Sequence, residues 1–286
     1  MLSKAPTVSP VKRLLMQPAV KRFSNSIKPP TVNNTGAYLM GGAALAGMAY
    51  LTMTSMNMQK NQQMYASRGE TFMSPLVQTR VAKTLGYFGF GLGLTGLVAF
   101  SLRNSAAAMN LHWAVCLAGT IGFSVGTRMC DYQTQYPIKM AMYCSFLGMV
   151  GVTIMPLCVM AGGALVVDAA LATGVAMSTL AGVAYMAPSE QFLKWGGALG
   201  ICCGGMLGIS LLMMFTQSPA LFNVWLYGGL LLNGVLVMYQ TQKIIHHAKN
   251  LQRFDPVNES ISIYIEAVNI FQRILMILMM NKGNRK

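Results

Sequence analysis

Apolar residues fall along this chain in eight runs, each close to the length of a membrane crossing: 36–56, 85–102, 111–129, 138–160, 164–187, 195–215, 221–239 and 261–280. Crossing about 30 Å of hydrocarbon at about 1.5 Å per residue takes about 20 residues. The pattern therefore predicts eight helices and an all-α polytopic membrane protein. A polar stretch sets the first run apart, whereas the other seven follow on short connections and are expected to pack as antiparallel neighbours. The chain divides accordingly into a leader (1–35), one extra N-terminal transmembrane helix (36–56), a polar linker (57–83), a seven-helix core (84–280) and a basic tail (281–286).

Composition agrees with a bilayer solvent. Of the 286 residues, 54% are hydrophobic and 10% charged, against about 25% charged in an average soluble domain. The net charge of +14 does not point to nucleic acid, because the bases sit in the leader, in short loops and at the C-terminus and form no basic face. No acidic residue precedes Glu70, while Lys4, Lys12, Arg13, Lys21, Arg22 and Lys28 punctuate a leader that also carries Leu14, Leu15, Met16 and Phe23. Basic, acid-free and amphipathic, it has the character of a mitochondrial presequence and lacks the long apolar core of a secretory signal. Positive-inside counting favours the matrix for the loops at 57–83, 130–139, 188–194 and 240–260. Import followed by arrest at 36–56 favours the opposite orientation, so topology stays open.

Motifs within the apolar runs argue for packing rather than catalysis. GLGLTG from Gly91 and GFSVG from Gly122 match a dinucleotide fingerprint and a nucleophile elbow, but both need a strand-to-helix turn that a continuous apolar helix does not supply. His112 and Ser124, twelve residues apart on one helix, are too far apart to meet. Gly196, Gly200, Gly204 and Gly208 recur every four residues along one helix face, a spacing that lets another backbone approach closely or lines a pathway. The six cysteines form no CxxC pair and read as small packing residues. No cofactor, metal site or enzyme activity is expected.

The last run departs from this apolar character. Within ISIYIEAVNIFQRILMIL (261–278), Glu266, Asn269 and Arg273 fall within about 60° of one another on a helix, a polar stripe expected to face a protected interior. Glu266 and Arg273 lie two turns apart, about 10 Å along the axis, and cannot pair directly. A lone carboxylate in hydrocarbon takes up a proton or finds a polar partner on another helix, where the bond either tunes a functional acid or only glues the bundle. The candidate partners are Asn233, Tyr239, Gln240, Thr241 and Gln242, near the end of the preceding run. His246, His247, Asp255 and Glu259 read as a solvated loop, since adjacent histidines on a helix point about 100° apart.

The stretches YGGLLLNGVLVMYQTQKIIHHAK, FDPVNESISIYIEAVNIFQRIL, the terminal GNRK and YMAPSEQFLKWGGALG resemble the mitochondrial branch of the Bax inhibitor family of membrane proteins, the growth hormone-inducible transmembrane proteins, over about residues 76–286. The resemblance implies a seven-helix bundle in which six helices surround the last, in the inner mitochondrial membrane. It also implies roles in proton-coupled exchange of cations such as calcium or potassium, in cristae organisation and in retention of cytochrome c. The family pairs an aspartate at the end of the penultimate helix with an acid on the last helix. This chain keeps Glu266 but has Gln240 in place of the aspartate. Two nearby carboxylates can share one proton; an amide cannot titrate, though it can still hydrogen-bond to Glu266. The loss of one negative charge also makes a poor calcium site. Two readings follow: a cation/proton homeostasis protein with weakened transport, or a non-transporting structural or interaction protein.

Overall fold

A computed structural model describes residues 74–105, 111–187, 191–216 and 218–283. The leader, the run at 36–56 and most of the linker lie outside the described residues. The rest folds into helices α1 (Pro75–Leu102), α2 (Trp113–Met129), α3 (Tyr136–Ala161), α4 (Gly163–Met186), α5 (Gly196–Phe215), α6 (Pro219–Asn250) and α7 (Pro256–Gly283). A single 3-10 turn, Leu193–Trp195, leads into α5. Six of these helices are long and apolar enough to span a bilayer, and α2 is shorter.

Local chemistry sets several boundaries. Proline stands in the first turn of α1 and α3, where its missing N–H costs nothing. Between α3 and α4 a single residue, Gly162, reverses the chain at φ 83°, a left-handed conformation that disfavours any side chain. Asp255 caps α7, its Oδ1 accepting from the amides of Val257 (3.1 Å) and Asn258 (3.2 Å).

Helix α7 occupies the centre. It packs against α6, α1 and α4 and touches α3 and α2, while α5 lies outside, against α6. The core around it is built from Phe88, Tyr143, Phe146 and Leu147 on one side and Ile261, Ile263, Tyr264, Ala267 and Ile270 of α7 on the other. The antiparallel order brings the start of α1 and the α2–α3, α4–α5 and α6–α7 connections to one end. Arg80, Lys83, Arg128, Lys139, Lys194, Lys243, Lys249 and Arg253 gather there, against Arg103 and Lys282 among the described residues at the other end.

Two expected boundaries move. The polar linker drawn to residue 83 ends earlier, because α1 already begins at Pro75. Its first turns are polar because they project past the apolar run: Arg80 Nη1 donates to the carbonyls of Ala248 (2.9 Å) and Leu251 (2.7 Å). The penultimate helix does not end near Tyr239 but runs on to Asn250. Its polar residues serve contacts between connections: Gln242 accepts from the Phe192 amide (2.8 Å) and donates to the Ala184 carbonyl (3.3 Å). Near its start α6 also contains a π-helical turn, Val224–Gly228.

The glycine ladder is a further correction. A Cβ at Gly196 would stand 3.1 Å from the Tyr239 hydroxyl, but at Gly200, Gly204 and Gly208 it would meet no atom within 4 Å. Among the described residues the close approach expected along the whole face is made only at Gly196, since α5 packs chiefly against α6.

Candidate functional site

Glu266 and Arg273 are both buried, 8% and 9% exposed, and Asn233 on α6 is buried between them at 6%. The Asn233 amide, oriented to satisfy both neighbours, donates from nitrogen to Glu266 Oε2 (3.2 Å) and accepts at oxygen from Arg273 Nη1 (2.7 Å). A primary amide suits this task, since it offers a donor to an acid and an acceptor to a guanidinium. The two charges that cannot touch along α7 are thereby joined through one residue of the neighbouring helix.

The π-turn completes the seat for Arg273. Its Nε donates to the Trp225 carbonyl (3.4 Å), and its guanidinium lies 4.8 Å from the centre of the Trp225 ring, within the range of a cation–π attraction. Gly229 makes room for it, as a Cβ there would collide with the guanidinium. A π-turn inside an α-helix is often a functional feature, and here it brings both a carbonyl and an indole face to the buried cation.

Other residues expected at the site lie elsewhere. Gln240 sits on the same helical face as Asn233, two turns on, but makes no bond to Glu266, and its Oε1 is buried without a partner among the described residues. The polar contact assigned to Gln240 belongs to Asn233 instead. Tyr239 packs against Gly196. Asn269, expected on the stripe with Glu266 and Arg273, joins Gln272 in lining a separate cleft with Thr120 and Thr153.

A second polar cluster, at the basic end, was not legible as a site in the sequence. Lys139 is fully buried, and its Nζ donates to the carbonyls of Thr127 and Cys130 (both 2.8 Å) and to Asn258 Oδ1 (2.9 Å). It also pairs with Asp255 Oδ2 at 2.7 Å. Nearby, His247 Nδ1 and Glu259 Oε1 stand 2.7 Å apart, both partly buried. The expectation of a solvated loop therefore fails for Asp255, His247 and Glu259, because α6 and α7 draw these groups together. Among the described residues no three metal-ligating side chains cluster. The one sequence signal for this cluster was Asp255-Pro256, a helix start with a capping acid before a proline.

Comparison with known proteins agrees with this architecture. The family model described as inhibitor of apoptosis-promoting Bax1 matches residues 77–283. The chain is 29% identical over 272 residues to growth hormone-inducible transmembrane protein of Rattus norvegicus, covering 89% of this chain and 78% of the relative. It is 27% identical over 172 residues to probable Bax inhibitor 1 of Paralichthys olivaceus, covering 59% and 72%. With Bax inhibitor 1 of Bos taurus it shares 28% identity over 151 residues, 52% and 64% of the two chains.

Proposed function

This chain belongs to the family of inhibitors of apoptosis-promoting Bax1 and is a multi-pass helical membrane protein, and on that premise we propose that it supports cation/proton homeostasis in the inner mitochondrial membrane through Glu266. Protons, calcium and potassium are the ions concerned. The observation that carries the reading is the burial of Glu266 in the middle of the central helix, held by a single amide rather than by a direct charge pair. An acid in such a place exchanges a proton as its partner moves. The basic, acid-free leader supports mitochondrial delivery. The gathering of bases at the end containing Lys139 favours the matrix for that end.

Arg273 and Gln240 temper this role. With Glu266 ionised, the linked pair is already neutral, and Gln240 adds no second negative charge. A cation then gains less here than at two carboxylates, so transport is weakened. These same two residues favour the second reading, a structural or interaction protein for cristae organisation and cytochrome c retention, with inner-membrane proteins as partners.

Purified protein in liposomes, with calcium, potassium and proton fluxes recorded together, separates the two. The transport reading expects a pH-dependent flux that Glu266→Gln abolishes while folding is retained. Flux no greater than that of empty liposomes leaves the structural role, and flux indifferent to Glu266→Gln removes the carboxylate from the mechanism.

A further inference from the structure

On the side of α7 facing α2 and α3, a cleft of about 200 Å³ is lined by Thr120, Thr153, Asn269 and Gln272 together with apolar groups that include Phe146 and Tyr264. Asn269 lies at the middle of α7 and Thr120 at the middle of α2, so the cleft sits at the depth of the hydrocarbon core. The side chains of Asn269 and Gln272 have no hydrogen-bond partner among the described residues. An unpaired amide at that depth costs several kcal/mol, and two of them one turn apart call for a polar occupant.

We propose that this cleft binds an uncharged, bilayer-soluble amphiphile bearing a hydroxyl or carbonyl group. No charged side chain lines it, which argues against an ion. Its walls are mostly apolar with a few convergent polar groups, the pattern of a small-molecule site. The hydrogen-bonding capacity is mixed. Thr120 and Thr153 already donate to the carbonyls of Cys116 and Met149 (both 2.8 Å), so their hydroxyls offer acceptor lone pairs, and the two amides offer donors and acceptors. A hydroxyl satisfies both kinds of group, and a carbonyl takes the amide donors. The volume is below the about 300 Å³ at which drug-sized sites begin, so the cleft takes a polar head or short chain while any longer tail remains in lipid. The site is separate from Glu266 and does not depend on ion transport.

The test is photolabelling of the full-length protein in lipid nanodiscs with 3-azioctanol, an uncharged alcohol carrying a diazirine, with adducts mapped by mass spectrometry. Adducts are expected on the segments of α3 and α7 that contain Phe146 and Tyr264, displaced by excess 1-octanol but not by octanoate. The Asn269→Leu/Gln272→Leu variant should lose labelling at least about tenfold, from the loss of two hydrogen bonds, with its melting temperature kept because neither amide bonds to another described residue. Thr120→Val/Thr153→Val provides a second test if that variant does not fold, and it too should lose labelling. Adducts spread evenly over outward helices such as α5, an empty cleft, displacement by octanoate as effective as by octanol, or full labelling of a folded variant would each overturn the proposal.

Discussion

Lys139 Nζ and Asp255 Oδ2, 2.7 Å apart, tie the C-terminus of one helix to the N-terminus of another. The ammonium donates to the Thr127 and Cys130 carbonyls, at the end of α2. The carboxylate receives amides of the first turn of α7. Each charge thus has the sign its helix terminus favours, and their pairing fixes the entry of the central helix into the bundle.

Lys139→Met should accordingly be among the more costly single changes in this protein. It leaves Asp255 without its cation and two carbonyls without a donor, a loss of about 3 to 5 kcal/mol for a broken buried pair. Thermal unfolding in detergent checks it. Asp255→Asn, which breaks the same ion pair but keeps an acceptor for the α7 amides and leaves Lys139 its carbonyls, should cost less, and equal losses would show that the ion pair outweighs those carbonyl contacts.

Gly229→Ala places a methyl group against the Arg273 guanidinium. Forcing that side chain aside is expected to destabilise by about 1 to 3 kcal/mol. The loss should shrink in an Arg273→Ala background, where the obstacle is gone. A loss of the same size in both backgrounds would assign it to the backbone instead of the seat for Arg273.

Leucine at Gly200 or Gly204 is expected to change monomer stability by less than about 0.5 kcal/mol, as at other positions without close partners, since a Cβ there meets no atom of the described residues within 4 Å. Gly196→Leu should lower the melting temperature, because Tyr239 fills that space. Unfolding scans of the three variants side by side decide it, and similar losses at all three would restore the close-packed face that the four-residue spacing suggested.

These contrasts show what the sequence could convey. Runs of apolar residues mark where a helix meets hydrocarbon, so the interiors of α1 to α7 were legible within a few residues. They say little about a helix that continues beyond it, and so both the start of α1 at Pro75 and the extension of α6 past Tyr239 were missed. The polar stripe on α7 was visible from its spacing. Its partner was not, because residues on one face of α6, Asn233 and Gln240, differ only in depth, and depth is set by how two helices slide past each other. Lys139 looked like an ordinary loop base because nothing local shows that Asp255, more than a hundred positions later, arrives beside it.

The bridge through Asn233 carries the last prediction. If one amide links two buried charges, Arg273→Met should leave Glu266 without its balancing cation, at about 3 to 5 kcal/mol. Glu266→Gln alone should leave Arg273 with its carbonyl, its indole face and the Asn233 oxygen, and should cost less. Combining the two removes both charges, so the double variant is expected to be more stable than Arg273→Met alone, with an interaction energy of about 0.5 to 3 kcal/mol, the range for residues sharing a network. The same cycle repeated in an Asn233→Leu background should show a smaller interaction, because the connecting group is absent. Unfolding midpoints in detergent give all the terms. Strict additivity in the parent background would mean that Glu266 and Arg273 are held independently, and that the carboxylate at the centre of α7 does not sense the guanidinium two turns away.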